Sequence, residues 1–182
     1  MKKTVVVFGL ISGAISATLM LASIPFEDKI GYDRALIVGY TTIVLSFLLV
    51  FFGIRSYREN IGGGEITFGR GFGVGILITL ISCLLYVAAW EVAYYFFMPD
   101  FFDKYGAHLV EKAQAEGASQ SKIDAQKAQM EAYKKMYANP LINGAMTFIE
   151  PFPVGLGITL LSAAVLRKRA KGVAAGAALT AN

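Results

Sequence analysis

Glu91 and Glu150 are the side chains best placed to do chemistry, because each is the single carboxylate within a long apolar run. Putting an ionised carboxylate into hydrocarbon costs on the order of several kcal/mol, so such acids face a packed interior or a wet cavity and find partners there. Glu91 stands in Trp90-Glu91-Val92-Ala93-Tyr94-Tyr95, roughly 10 Å inside the end of its run by helical rise. Glu150 lies roughly 13 Å from the same face if the two runs are antiparallel helices. Two carboxyls that share a site cannot both ionise cheaply. At least one would keep its proton near neutral pH, which is the condition for a relay or for proton-coupled movement.

The surroundings of Glu150 depart from an ordinary apolar helix. In Thr147-Phe148-Ile149-Glu150-Pro151-Phe152-Pro153-Val154-Gly155-Leu156-Gly157, Pro151 cannot bond the carbonyl of Thr147 and Pro153 cannot bond that of Ile149. Two acceptors are therefore expected to be free beside a carboxylate, and such a break survives in a membrane only where protein groups or water satisfy it. Asn143, Thr147 and Glu150 fall on roughly one helical face, so the candidate site for a proton or small cation comprises Glu91, Glu150, Thr147, Asn143 and Tyr94. A plainer account stands beside it: a proline kink and a protonated Glu150, hydrogen-bonded to Glu91 or Tyr94, would simply lock the two helices together. Trp90, Tyr94 and Tyr95 likewise suit an aromatic belt at the membrane interface.

The elements that must position these residues are four apolar runs, Val5–Ile24, Ala35–Ile54, Phe72–Met98 and Leu141–Leu166. At about 1.5 Å per residue each crosses a hydrocarbon core of about 30 Å. With 55% hydrophobic and 16% charged residues the chain suits a bundle in lipid and not a soluble domain. The net charge of +4 does not point to nucleic acid, because the basic residues collect at the flanks of the runs. Lys2 and Lys3 precede the first run, Arg55, Arg58 and Arg70 lie between the second and third, and Arg167, Lys168, Arg169 and Lys171 follow the fourth. That bias predicts cytoplasmic termini in a cell (inner) membrane, with the turn near 27–33 and the segment 99–140 outside. The first run is too long for a signal-peptide core, and three more follow it. Residues 1–170 read as one membrane domain and 171–182 as a short cytoplasmic tail.

Gly9, Gly13 and Ala17 recur at steps of four, a pattern that lets helices approach closely; it predicts contact with the second span or with a second copy of the chain. The glycine-rich stretch 62–75 lacks the Gly-Lys-Ser or Gly-Lys-Thr ending of a phosphate loop and reads as a flexible turn followed by a tightly packed helix start. Between the third and fourth spans the Ala, Gln, Glu and Lys content predicts two helices, 101–116 and 122–137, broken at Gly117 and Ser119, with Ser121 and Asp124 as a capping box. Ile123, Met130 and Tyr137 form a stripe that suits the sister helix, the membrane surface or a partner protein. Cys83 is the only cysteine and His108 the only histidine, which argues against a disulfide or a metal centre. No nucleophile and base pair or phosphate loop is present, so neither an enzyme nor a cofactor is expected.

Gly-Leu-Ile-Ser-Gly at 9–13, Trp90-Glu91 leading to Met98-Pro99-Asp100-Phe101, and Glu150-Pro151-Phe152-Pro153-Val154-Gly155-Leu156 ahead of Arg167-Lys168 resemble a bacterial membrane family, domain of unknown function 4199 (DUF4199). The resemblance implies four membrane spans and lends no activity. The expectation is an all-α integral membrane protein, a four-helix transmembrane bundle with an extracytoplasmic hairpin at 100–138. Its role would be an accessory or assembly component or small transport element, or alternatively a proton- or cation-coupled transporter using Glu91 and Glu150.

Overall fold

A computed structural model of the chain describes residues 1–26 and 31–168; the first part of the turn near 27–33, Arg169 and the tail 171–182 lie outside the described residues. Among the described residues every named element is helical. In order the chain forms α1 (Lys2–Ser23), a short 3-10 turn at Ile24–Phe26, α2 (Tyr32–Asn60), α3 (Phe68–Val92) continued by a π-turn at Ala93–Phe97, α4 (Phe101–Ala115), α5 (Gln120–Tyr137), α6 (Pro140–Ile149) and α7 (Pro151–Leu166). Four stretches are long and apolar enough to cross a membrane: Lys2–Phe26, Tyr32–Asn60, Phe68–Phe97 and Pro140–Leu166.

Lipid offers no hydrophobic drive for helices to associate, so these four meet through close packing and hydroxyl hydrogen bonds. Ile43, Phe47, Val50 and Ile54 form the buried stripe of α2, facing Val74 and Ile78 of α3. A methyl group placed on Gly75 would come within 2.8 Å of both Ile54 and Thr159, which shows how closely α3 lies between α2 and α7. Thr79 and Thr159 share a hydroxyl hydrogen bond of 3.0 Å across α3 and α7, and Ser12 donates to the Ser46 carbonyl at 2.9 Å across α1 and α2. Gly9 and Gly13 receive Ile81 and Leu85 of α3, and the Ser82 hydroxyl donates to the Gly9 carbonyl at 3.2 Å. The small-residue face of α1, expected to meet the second span or another copy, is thus occupied by the third helix of the same chain.

At the end where the basic residues gather, α2 runs on to Asn60 and the loop shrinks to a turn through Gly63 and Gly64, both with positive φ. Thr67 caps α3 by accepting the Arg70 N–H. Ile66 then pairs with Lys168 in an antiparallel bridge, its N–H donating at 3.0 Å and its carbonyl accepting at 2.9 Å, while Arg58 donates to the Leu166 carbonyl at 3.3 Å.

At the other end α4 and α5 run along each other. Met130 lies against Gly106, Tyr137 against Phe102, and Lys134 pairs with Asp103. The stripe of Ile123, Met130 and Tyr137 therefore packs on the sister helix. Helix α5 begins at Gln120 and not at Lys122: Ser119 takes the cap position, and Ser121, the expected cap, lies inside the first turn. Asp124 accepts from the Gln120 side chain instead of closing a capping box.

Candidate functional site

The floor of the site is built by the segment that the prolines interrupt. Asn139 starts α6 by accepting the Leu141 N–H at 3.0 Å, and Pro140 fills the first helical position, where no N–H is needed. Glu150 stands between α6 and α7 with helical backbone angles (φ −70°, ψ −59°). The backbone at Glu150 stays helical while its hydrogen bonding is interrupted. Of the two carbonyls expected to be free, that of Thr147 accepts the Glu150 N–H at 3.3 Å in a tightened turn. Pro151 is buried and Pro153 exposed.

The Tyr86 hydroxyl of α3 donates to Glu150 Oε2 at 3.4 Å. Among the described residues no protein group donates to the other carboxylate oxygen, and Glu150 lines a cavity of about 610 Å³. Met20 and Ser23 of α1 and Tyr32, Leu36 and Gly39 of α2 form one wall; Tyr86 and Trp90 of α3 form another. Phe101, Phe102 and Tyr105 of α4, with Met130, Tyr133 and Tyr137 of α5, close it from above, and Met146 and Thr147 lie beside Glu150 below. The Tyr137 phenol is pushed up from its ordinary pKa first by burial and then by the charge of Glu150, so the roof of the cavity feels the acid on its floor.

Asn143 is fully buried. Its Oδ1 accepts the Trp90 indole N–H at 2.9 Å and the Thr147 hydroxyl at 3.2 Å, which ties α6 to α3 one turn nearer the hairpin than Thr147. The indole can only donate, so it fixes which way the amide points. The Asn143 Nδ2 is then left buried without a partner. Glu91 Oε1 is also buried without one, and it lies beside Gly144, where a methyl group would come within 3.5 Å of it.

Of the five candidate residues the structure therefore joins Asn143 to Thr147 and places Glu150 in the cavity with Thr147. No hydrogen bond links Glu91 to Glu150 among the described residues, and Glu91 does not line the cavity. Tyr94 touches neither acid by a hydrogen bond. It is buried among rings instead, its centroid 6.1 Å from Trp90, 6.0 Å from Phe102 and 6.3 Å from Tyr137. The π-turn produces that placement. The Met98 N–H reaches back to the Ala93 carbonyl at 2.9 Å, and the extra residue in the turn puts Tyr94 inside and leaves Phe96 and Phe97 78% and 66% exposed. Tyr95, also given a belt role, donates to the Tyr137 carbonyl at 3.2 Å and fastens the end of α5 to this turn.

Two further residues of the candidate site escape a reading of carboxylates alone. Tyr86 holds Glu150 and Trp90 holds Asn143; the two are four apart, on the face of α3 next to the one that carries Glu91. Among the described residues no three His, Cys, Asp or Glu side chains gather as metal ligands. His108 packs its ring 5.0 Å from Tyr32.

No curated protein and no solved structure matches the chain. The family model described as protein of unknown function (DUF4199) matches residues 7–168, and the chain belongs to that family.

Proposed function

We propose that the protein is a non-enzymatic, four-span protein of the cell (inner) membrane that acts as a small transport element for cationic cargo, with Glu150 as its working group. Both termini and the turn at 61–67 are cytoplasmic in this reading, and α4 and α5 form an outward hairpin over the cavity. The flanking Lys and Arg residues support that orientation. The observation that carries the function is the position of Glu150: a carboxylate at a proline-broken helix, held by one hydroxyl and otherwise open to a cavity of about 610 Å³. Intramembrane acids in such settings mark substrate or proton pathways. Glu91 has no such access, so the reading rests on one acid and not on a pair.

Proteoliposomes test it directly. Gradients of potassium, sodium and a lipophilic cation are imposed in turn, and proton movement and cation uptake are followed for the native chain, Glu150→Gln and Glu91→Gln. At least one gradient should drive transport that Glu150→Gln abolishes and Glu91→Gln retains. Absence of native transport under every gradient would refute the reading.

A further inference from the structure

We infer that the cavity above Glu150 is a binding site for an apolar organic cation, of the class of lipophilic quaternary ammonium and phosphonium ions; the inference rests on the transport reading only in taking the cargo to be cationic. The lining residues decide the class. Eight carry aromatic rings, three are methionines, one is an acid, and none is Lys or Arg. An anion would meet the Glu150 carboxylate with no positive group to offset it. A neutral apolar guest would cover the carboxylate oxygen that no protein group bonds and leave it stranded away from water.

A hard inorganic cation is a poor fit for a different reason. It needs several oxygens converging at short range to replace its water shell. Here Asn143 Oδ1 is already engaged by Trp90 and Thr147, and the remaining oxygens are spread around a space far wider than one ion. A weakly hydrated organic cation needs no such shell. It is stabilised by aromatic faces and one carboxylate, with its apolar body against rings and thioethers. A volume of about 610 Å³ lies within the range of sites for ligands of that size. The Trp90 indole N–H is committed to Asn143, which holds the ring in place, so the aromatic wall is formed before a ligand arrives.

Equilibrium binding of tetraphenylphosphonium to the full chain in nanodiscs tests this, with protein-free nanodiscs subtracted and tetraphenylborate as a probe of the same shape and opposite charge. Tetraphenylphosphonium should bind once per chain, tetraphenylborate should not, and Glu150→Gln should weaken binding at least tenfold. Gly39→Leu supplies a variant that leaves the acid untouched. Gly39 lines the cavity and a methyl group there would meet nothing within 4 Å, so the larger side chain grows into the space without disturbing the helix packing and should abolish binding. Equal binding of both probes, or cation binding unchanged by both substitutions, would overturn the inference. So would no binding at all, even where potassium or sodium transport depends on Glu150. Binding as described but without any transport would uphold the site and remove the transport reading.

Discussion

Substituting Gly155 and Gly157 separately by alanine isolates the cost of close approach between α7 and α3. The two glycines lie two residues apart in one helix, and each gains about 1 kcal/mol of helix propensity from the change. That gain cancels in the comparison. At Gly155 the new methyl would lie 2.5 Å from Thr79 Cγ2 and 3.0 Å from the Phe47 ring, so α3 and α2 must both yield. At Gly157 it would meet nothing within 4 Å. Forcing a methyl into a packed core costs about 1–3 kcal/mol. Shifting Thr79 also weakens its 3.0 Å bond to Thr159, and such bonds in membranes average about 0.6 kcal/mol. Gly155→Ala should therefore be about 2–3 kcal/mol less stable than Gly157→Ala, measured by reversible unfolding in mixed detergent micelles. Equal stabilities, or Gly157→Ala as the weaker protein, would show that α7 does not lie against α3 in this register.

Trp90→Phe keeps an aromatic ring but removes the donor to Asn143, and should cost about 0.6–1.7 kcal/mol in the same assay, with Thr147→Val behaving similarly and the pair falling short of additivity because both act on one oxygen. Lys134 is held above its ordinary pKa of 10.5, chiefly by its hydrogen bond to Asp103. A raised folded-state value means that this link is complete below pH 10.5 and is lost as pH rises through the raised value. Titration of the Lys134 ammonium followed by NMR should give a midpoint above 10.5 in the native chain, and Asp103→Asn should move it to lower pH; a midpoint unchanged by that substitution would contradict the assignment.

Hydropathy alone located the four membrane-capable helices, because Val5–Ile24 and Ala35–Ile54 contain no Asp, Glu, Lys or Arg and cannot be mistaken for anything shorter. The interruption at Glu150 was equally plain, since proline has no N–H to hide. Facing was not legible. These helices are apolar all round, so periodicity does not say which side of α3 turns toward α6 and which toward the cavity. Glu91 and Glu150 could be placed at similar depth while their surroundings stayed out of reach. The π-turn at Ala93–Phe97, with which α3 ends, has no signature in a run of aromatic residues. Tyr86 and Trp90 were findable: two amphipathic rings four apart, well inside an apolar run, ask for hydrogen-bond partners.

The seat of α7 between α2 and α3 also bears on how the protein is made. Phe47, Gly75 and Thr79 complete their packing only when Gly155 and Thr159 arrive, after the whole of α4 and α5 has been synthesised. At roughly 5–20 residues per second, that delay is on the order of several seconds. During it the first three helices present to lipid a seam of glycine and hydroxyl that is shaped for one helix and unsuited to acyl chains. The bridge between Ile66 and Lys168 requires the very end of α7 and lies at the far end of that seam. A chain arrested before Pro140 thus carries its own mark of incompleteness, recognisable by any membrane protease or chaperone that reads unpaired polar surface within the bilayer.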